Sequence, residues 1–393
     1  MSTNSPWSVF LIFLRLGLTS FGGPVAHLGY FRDELIVRRR WMTEQQYADL
    51  IALCHFLPGP SSSQVGMGLG ISQAGYAGAF AAWLGFTMPS ALLLILIAYA
   101  INSESALLPP SVLHGLAIVA VAVISQAVWG MGRSLCPDKS RFTLMIAATC
   151  YLLLFPSTWG QILVMLLAAL IGVVCFKPET QRQDAELKSP MSKRHGLLFL
   201  SLFFILLLVL PLTAKLFPNQ ALILFDAFYR AGSLVFGGGH VMLPLLQAET
   251  VPSGLVSAEA FMAGYGATQA VPGPLFTFAA FLGASMHTAY GAFITGMLCL
   301  LAIFLPSFLL VLGALPFWES LRRLGPIRAA LTGVNAAVVG LLLAALYRHA
   351  WLDAIDSSQD FALALIALCA LMIWQLPPWL VVIGGSLIAW LLY

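Results

Sequence analysis

Arg15 and Arg230 each stand inside an otherwise apolar segment, and each opens the same short pattern. The first copy reads Arg15-Leu-Gly-Leu-Thr-Ser-Phe-Gly-Gly-Pro24 and the second Arg230-Ala-Gly-Ser-Leu-Val-Phe-Gly-Gly-Gly239. An arginine within apolar sequence is costly in lipid and normally faces protein, a wet cavity or the interface. Its rigid fork of donors suits a flat or tetrahedral oxyanion. Two arginines at matching places are therefore expected to meet across a pseudo-two-fold axis and hold an anion. The competing reading has Arg15 snorkelling to the membrane edge and Arg230 paired with Asp226, one helical turn away.

A second doubled pattern follows each arginine: Leu57-Pro58-Gly59-Pro60 and Val271-Pro272-Gly273-Pro274. Proline ends one helical piece, glycine supplies the joint, and the next piece starts with free N–H groups that favour an anion. Ser61, Ser62, Ser63 and Gln64 add donors after the first copy, whereas Leu275, Phe276, Thr277 and Phe278 follow the second. The first copy is expected to bind and the second mainly to gate. Gly22 and Gly23, and Gly237, Gly238 and Gly239, either expose amides to an anion or act as hinges. They are not nucleotide loops, because neither cluster follows a strand or carries the P-loop Lys. His27, His55 and His240 lie beside these motifs, with Gln269 matching His55. An imidazole can carry a proton near neutral pH, so His55 and His240 are coupling candidates, as are Asp49 and Asp226. Glu34 and Glu259 are expected near interfaces.

The elements that must position these residues are membrane helices. Of the 393 residues, 60% are hydrophobic and only 9% charged, against about 25% charged in soluble domains. Mean hydropathy is +0.91. Spans are expected near 76–100, 112–132, 142–157, 160–176, 197–214, 288–315, 329–348, 361–376 and 379–393. The segments 8–30, 221–247, 47–75 and 259–287 are interrupted by the Gly/Pro motifs. Broken backbone is tolerated in a membrane only where protein buries it or water reaches it, so these read as helical hairpins or discontinuous helices. Doubling with broken helices is the signature of a secondary transporter. The fold class is all-α: a polytopic membrane protein of two fused inverted repeats. The first repeat covers 1–176, a cytoplasmic linker and inverting helix 177–219, and the second repeat 220–393. Inversion follows from charge: the loop Arg32 to Arg40 is basic while its counterpart, 248–258, has Glu249 and no Lys or Arg, and basic short loops prefer the cytoplasm.

Other classes find no support. The net charge of +3 comes without a dense basic patch, which argues against nucleic acid. The six cysteines form no CxxC pair, so no metal site is expected. No cofactor motif or enzymatic constellation appears, and the N-terminal segment lacks a signal-peptide form.

Taken together, Phe21-Gly22-Gly23-Pro24, Pro58-Gly59-Pro60 with Gln64, Phe236-Gly237-Gly238-Gly239-His240 and Gln269-Ala270-Val271-Pro272-Gly273-Pro274 resemble the chromate ion transporter family in its long, two-domain form. The resemblance spans nearly the whole chain. It implies a plasma-membrane exporter of chromate, in the bacterial inner membrane, that gives chromate resistance and draws on the membrane potential or proton gradient. Sulfate, alike in shape and charge, is the implied competitor. The implied site residues are Arg15, Arg230, Pro58 to Pro60 and Pro272 to Pro274. The partners expected are the oxyanion, the lipid bilayer and a second copy of the chain. A transporter or channel for another anion, sulfate or an organic acid, is the alternative.

Overall fold

The computed structural model describes residues 5–102, 109–155, 157–176, 191–321 and 324–392. The linker residues 177–190 lie outside the described residues. All regular structure among the described residues is helical.

The first half runs through α1 (Pro6–Thr19), α2 (Gly23–Phe31), a π-helical stretch (Arg32–Arg38), α3 (Glu44–Phe56), α4 (Ser61–Asn102), α5 (Pro110–Leu135), α6 (Lys139–Leu154) and α7 (Thr158–Cys175). Helix α8 (Lys193–Leu216) stands between the halves. The second half repeats the order with α9 (Gln220–Leu234), a 3-10 turn (Gly239–Val241), α10 (Met242–Thr250), α11 (Ala258–Ala270), a 3-10 turn (Leu275–Thr277), α12 (Phe278–Ser285) and α13 (Ala292–Ala314). It ends with α14 (Trp318–Leu321), α15 (Gly325–Ala345), α16 (Leu352–Ala354), α17 (Ser358–Met372) and α18 (Pro378–Leu392). Among the described residues, five helical stretches are long and apolar enough to cross a membrane. One of them, α4, is really two helices: the backbone leaves helical geometry at Ala74 (φ −142°) and Gly75 (φ 59°). The matching place in the second half is the open break between α12 and α13. Helix α8, with no counterpart, leaves Leu197, Leu198, Leu208 and Leu212 exposed, an apolar surface that requires lipid.

The interrupted segments are helical hairpins. Pro6 at the start of α1 and the Ser5 side chain accepting from the Ser8 N–H begin the first. It turns at Gly22, which brings the Phe13 ring to 5.5 Å from Phe31 and 6.3 Å from Trp41. A Thr43/Gln46 capping box starts α3, and the chain reverses at Pro58-Gly59-Pro60 so that Leu50 lies against Gly68. The Ser257 side chain caps α11 by accepting from the Ala260 N–H, and that hairpin reverses at Pro272-Gly273-Pro274 to set Gly264 against Phe281.

Each half packs its first helix on its long proline-containing helix, α1 on α4 and α9 on α13. A Cβ on Gly17 would stand 2.7 Å from the Gly85 carbonyl oxygen, and one on Gly232 would meet the Ile303 carbonyl. Close helix approach through small residues is the usual route to membrane helix association. The later helices are exchanged: α15 lies on α6 and α7, while α5 lies on α17, α18 and α11. Thr149 Oγ1 donates to the Gly340 carbonyl at 3.0 Å across the first interface. His114 Nε2 meets Asp360 Oδ1 at 3.0 Å across the second. Asp360 also accepts from the backbone N–H groups of Asp356 and Ser357, so this buried carboxylate caps α17 and anchors it to α5. The two sequence repeats thus build one interlocked body.

Candidate functional site

The tips of the hairpins meet, and they do so reciprocally. The Gly59 N–H donates to the Val235 carbonyl at 2.7 Å, and the Gly273 N–H donates to the Ser20 carbonyl at 2.9 Å. Ser20 and Val235 end α1 and α9, so each Pro-Gly-Pro loop ties itself to the first hairpin of the other repeat. Both glycines sit at positive φ, 120° and 101°. A Cβ on Gly59 would stand 2.5 Å from Ser307 Oγ, and one on Gly273 2.6 Å from Ser90 Oγ. Those serines follow the helix prolines Pro306 and Pro89, again in the opposite repeat. Glycine is required here twice over, for backbone conformation and for space.

Beside this knot lies a cavity of about 620 Å³. Its lining comes from three tips: Gly22, Gly23, Pro24 and Val25; Cys54, His55, Leu57, Gly59 and Ser61; and Gly237, Gly238, Gly239 and His240. Helix α5 supplies a wall that includes Gln126 and Ser134, and α15 supplies Asn335. The lining includes the first residues of α2, of α4 and of the turn leading into α10. Helix starts carry unsatisfied N–H groups and a partial positive charge. Among its described lining residues there is no Asp, Glu, Lys or Arg. The cavity therefore offers backbone amides, a hydroxyl at Ser61, carboxamides and two imidazoles. His240 Nδ1 is hydrogen-bonded with the Tyr265 hydroxyl at 2.5 Å, whereas His55 is exposed.

The remaining residues after the first Pro-Gly-Pro loop hold the tip rather than face the cavity. Gln64 Nε2 donates to the Pro58 carbonyl at 2.7 Å, closing the turn between Pro58 and Pro60. Ser62 Oγ lies 3.4 Å from His27 Nδ1, joining α4 to α2. Ser63 Oγ and Gln64 Oε1 are buried without a hydrogen-bond partner among the described residues. The second loop differs. Thr277 donates both its N–H and its hydroxyl to the Pro274 carbonyl, at 3.0 and 2.7 Å, winding a tight 3-10 turn. Pro272, Gly273, Pro274 and Gln269 are not among the residues that line the cavity.

The two arginines require a correction. Neither is among the residues lining this cavity, and they do not share a site. Arg15 is exposed on α1 at a separate hollow of about 330 Å³, with Thr19, Tyr30, Asp33, Glu34, Arg38 and Arg39. Arg230 is engaged by two carboxylates: Nε donates to Asp226 Oδ2 at 3.0 Å, and Nη1 and Nη2 donate to Glu249 at 3.0 and 3.3 Å. A guanidinium so occupied has little left for an anion. The same pairing takes Asp226 away from the cavity, and Asp49 lies half-buried in α3 outside the lining. Sequence reasoning missed Gln126, Ser134, Asn335 and the partner Glu249. A carboxamide alone in an apolar helix was the available signal for Gln126 and Asn335.

The chromate transporter family model matches residues 7–173 and 222–390, once in each half. The chain is 28% identical over 343 residues to the chromate transport protein of Pseudomonas aeruginosa, covering 85% of this chain and 78% of that protein. It is 26% identical over 392 residues to the chromate transport protein of Cupriavidus metallidurans, covering 98% and 92%. An uncharacterized transporter of Methanocaldococcus jannaschii is 26% identical over 356 residues, covering 88% and 85%. No solved structure matches the chain. With a doubled, hairpin-broken helical body that needs lipid and a family match in both halves, this multi-pass membrane protein belongs to the chromate transporter family.

Proposed function

We propose that the cavity between the hairpin tips binds a tetrahedral dianionic oxyanion, chromate, and that the protein exports it across the plasma membrane. Such export would confer chromate resistance. The observation that carries the reading is the convergence of helix starts from both repeats on a cavity whose described lining has no carboxylate. Gly22, Gly23, Gly59, Ser61 and Gly237 to Gly239 present donors to the oxygens, with His55 and His240 beside them. Sulfate has the same shape and charge and competes for the same donors. His55 and His240 are the groups through which flux is coupled to the proton gradient. Movement at the Gly/Pro tips switches access between the two sides.

The test is chromate flux into proteoliposomes of the purified protein under imposed pH and voltage gradients, with sulfate as competitor. Saturable, gradient-driven flux that sulfate reduces is the expected result. Absence of chromate flux from folded, inserted protein, together with flux of an organic acid, would replace the cargo.

A further inference from the structure

Arg15 and Arg230 occupy matching places, and so do Glu34 and Glu249, yet the two pairs are in opposite conditions. In the second half Arg230 and Glu249 are joined by two hydrogen bonds, at 3.0 and 3.3 Å. In the first half Arg15 has no ion pair among the described residues, and Glu34 is held instead by Arg38 at 3.0 Å and Arg39 at 2.8 Å. Ser253 and Gly254 stand where Arg38 and Arg39 would be in the second half. The backbone differs at the same place. Glu34 lies in the π-helical stretch Arg32–Arg38, whereas α10 is α-helical to Thr250. A π turn adds a residue per turn and rotates what it carries relative to an α-helix. Between Arg15 and Glu34 lies the hollow of about 330 Å³.

We infer that Glu34 and Glu249 are positioning residues of the transport cycle, each closing on its own arginine in alternate states. The structure holds the state in which the second pair is shut and the first is open. In the other state the stretch around Glu34 takes α-helical geometry, Glu34 leaves Arg38 and Arg39 for Arg15, the hollow closes, and Arg230 parts from Glu249. Inverted repeats make the exchange economical, since each half adopts the arrangement that the other has just left. Arg38 and Arg39 act as the holding partners of Glu34, and the retained Asp226–Arg230 contact keeps Arg230 from being left without a carboxylate.

The inference rests on the transport reading, but its test does not use chromate. Thr19 is exposed at the hollow, so the rate at which a membrane-impermeant maleimide labels a Thr19→Cys protein in lipid nanodiscs, read at that position by mass spectrometry, reports whether the hollow is open. Glu249→Gln and the double change Arg38→Gln/Arg39→Gln are each expected to slow labelling at least threefold, the first by opening the second pair and the other by freeing Glu34. Glu34→Gln is expected to keep labelling fast, and to do so even when combined with Glu249→Gln. General loosening of the fold by Glu249→Gln would speed labelling instead. Unchanged or faster labelling in folded Glu249→Gln protein, or slow labelling in the Glu34→Gln/Glu249→Gln protein, would overturn the inference. Chromate flux through the wild-type protein is scored separately and decides only the cargo.

Discussion

The two Pro-Gly-Pro loops share a backbone, a hydrogen bond to the opposite repeat and a serine packed against their glycine, yet only the first reaches the cavity. After Pro60 the chain enters an α-helix through Ser61, which lines the cavity. After Pro274 it winds a 3-10 turn whose Thr277 closes on the Pro274 carbonyl. The difference separates two tasks that a doubled motif suggests are one. The reciprocal Gly59–Val235 and Gly273–Ser20 bonds are architectural and hold in both halves. Of the two loops, only the first brings a polar side chain to the cavity, because its α-helix starts directly at the tip with Ser61.

The largest effects should come from attacking the shared part. Gly59→Ala and Gly273→Ala each force a positive-φ residue to carry a side chain, at about 1–3 kcal/mol, and add a crowding cost of about 1–3 kcal/mol. Both are expected to lose at least tenfold in flux and to lower the Tm. Ser307→Ala should recover part of the stability of Gly59→Ala and none of Gly273→Ala, while Ser90→Ala should do the reverse. Rescue within a repeat rather than across it would break the exchanged arrangement.

Attacking the unshared part sharpens the comparison. Ser61→Ala is expected to lower chromate flux several-fold with little change in Tm, whereas Leu275→Ala, at the matching place, should affect stability more than apparent affinity. His240→Asn is expected to cost more flux than His55→Asn, about tenfold against about threefold, because His240 is tied to Tyr265 and His55 is exposed. Flux measured against substrate concentration separates these cases.

The two carboxylates offer a contrast in stability. Glu249→Gln takes a charge-assisted, bidentate partner from a partly buried arginine and should cost about 1–3 kcal/mol, read as a lower Tm. Glu34→Gln removes contacts with exposed arginines, worth about 0–1 kcal/mol, and should barely move it. The smallest effect is in acid. Burial alone would raise the Glu34 pKa, but hydrogen bonds from Arg39 and Arg38 hold the carboxyl below its ordinary value of 4.5. A depressed folded pKa gives stability that is present above the unfolded value and lost as pH falls through the folded one. The Glu34→Gln protein should therefore show a slightly flatter loss of Tm with falling pH in the range below about 4.5 than the wild type.

Much of this fold can be read in the chain because its signals are local. Apolar length marks the helices, Ser5, Thr43, Ser257 and Ser357 mark where several begin, and the Gly/Pro clusters mark where hairpins turn. The doubling of the motifs announces two related halves. Recurrence of Arg15 and Arg230 was also legible, but its meaning was not. Whether a guanidinium faces a cavity or a carboxylate depends on which residues fold back beside it, and Glu34 and Glu249 lie on the return limbs of their hairpins. The sequence by itself determined an all-helical membrane body with broken helices at four places and a polar first tip. Only the tertiary structure decided that the tips bond across the repeats, that α5 and α15 are exchanged, and that the cavity draws its walls from Gln126, Ser134 and Asn335. The reason is physical: backbone breaks follow from residues adjacent in the chain, whereas the partner of a freed N–H or a costly charge is chosen among groups brought together from the whole length of the molecule.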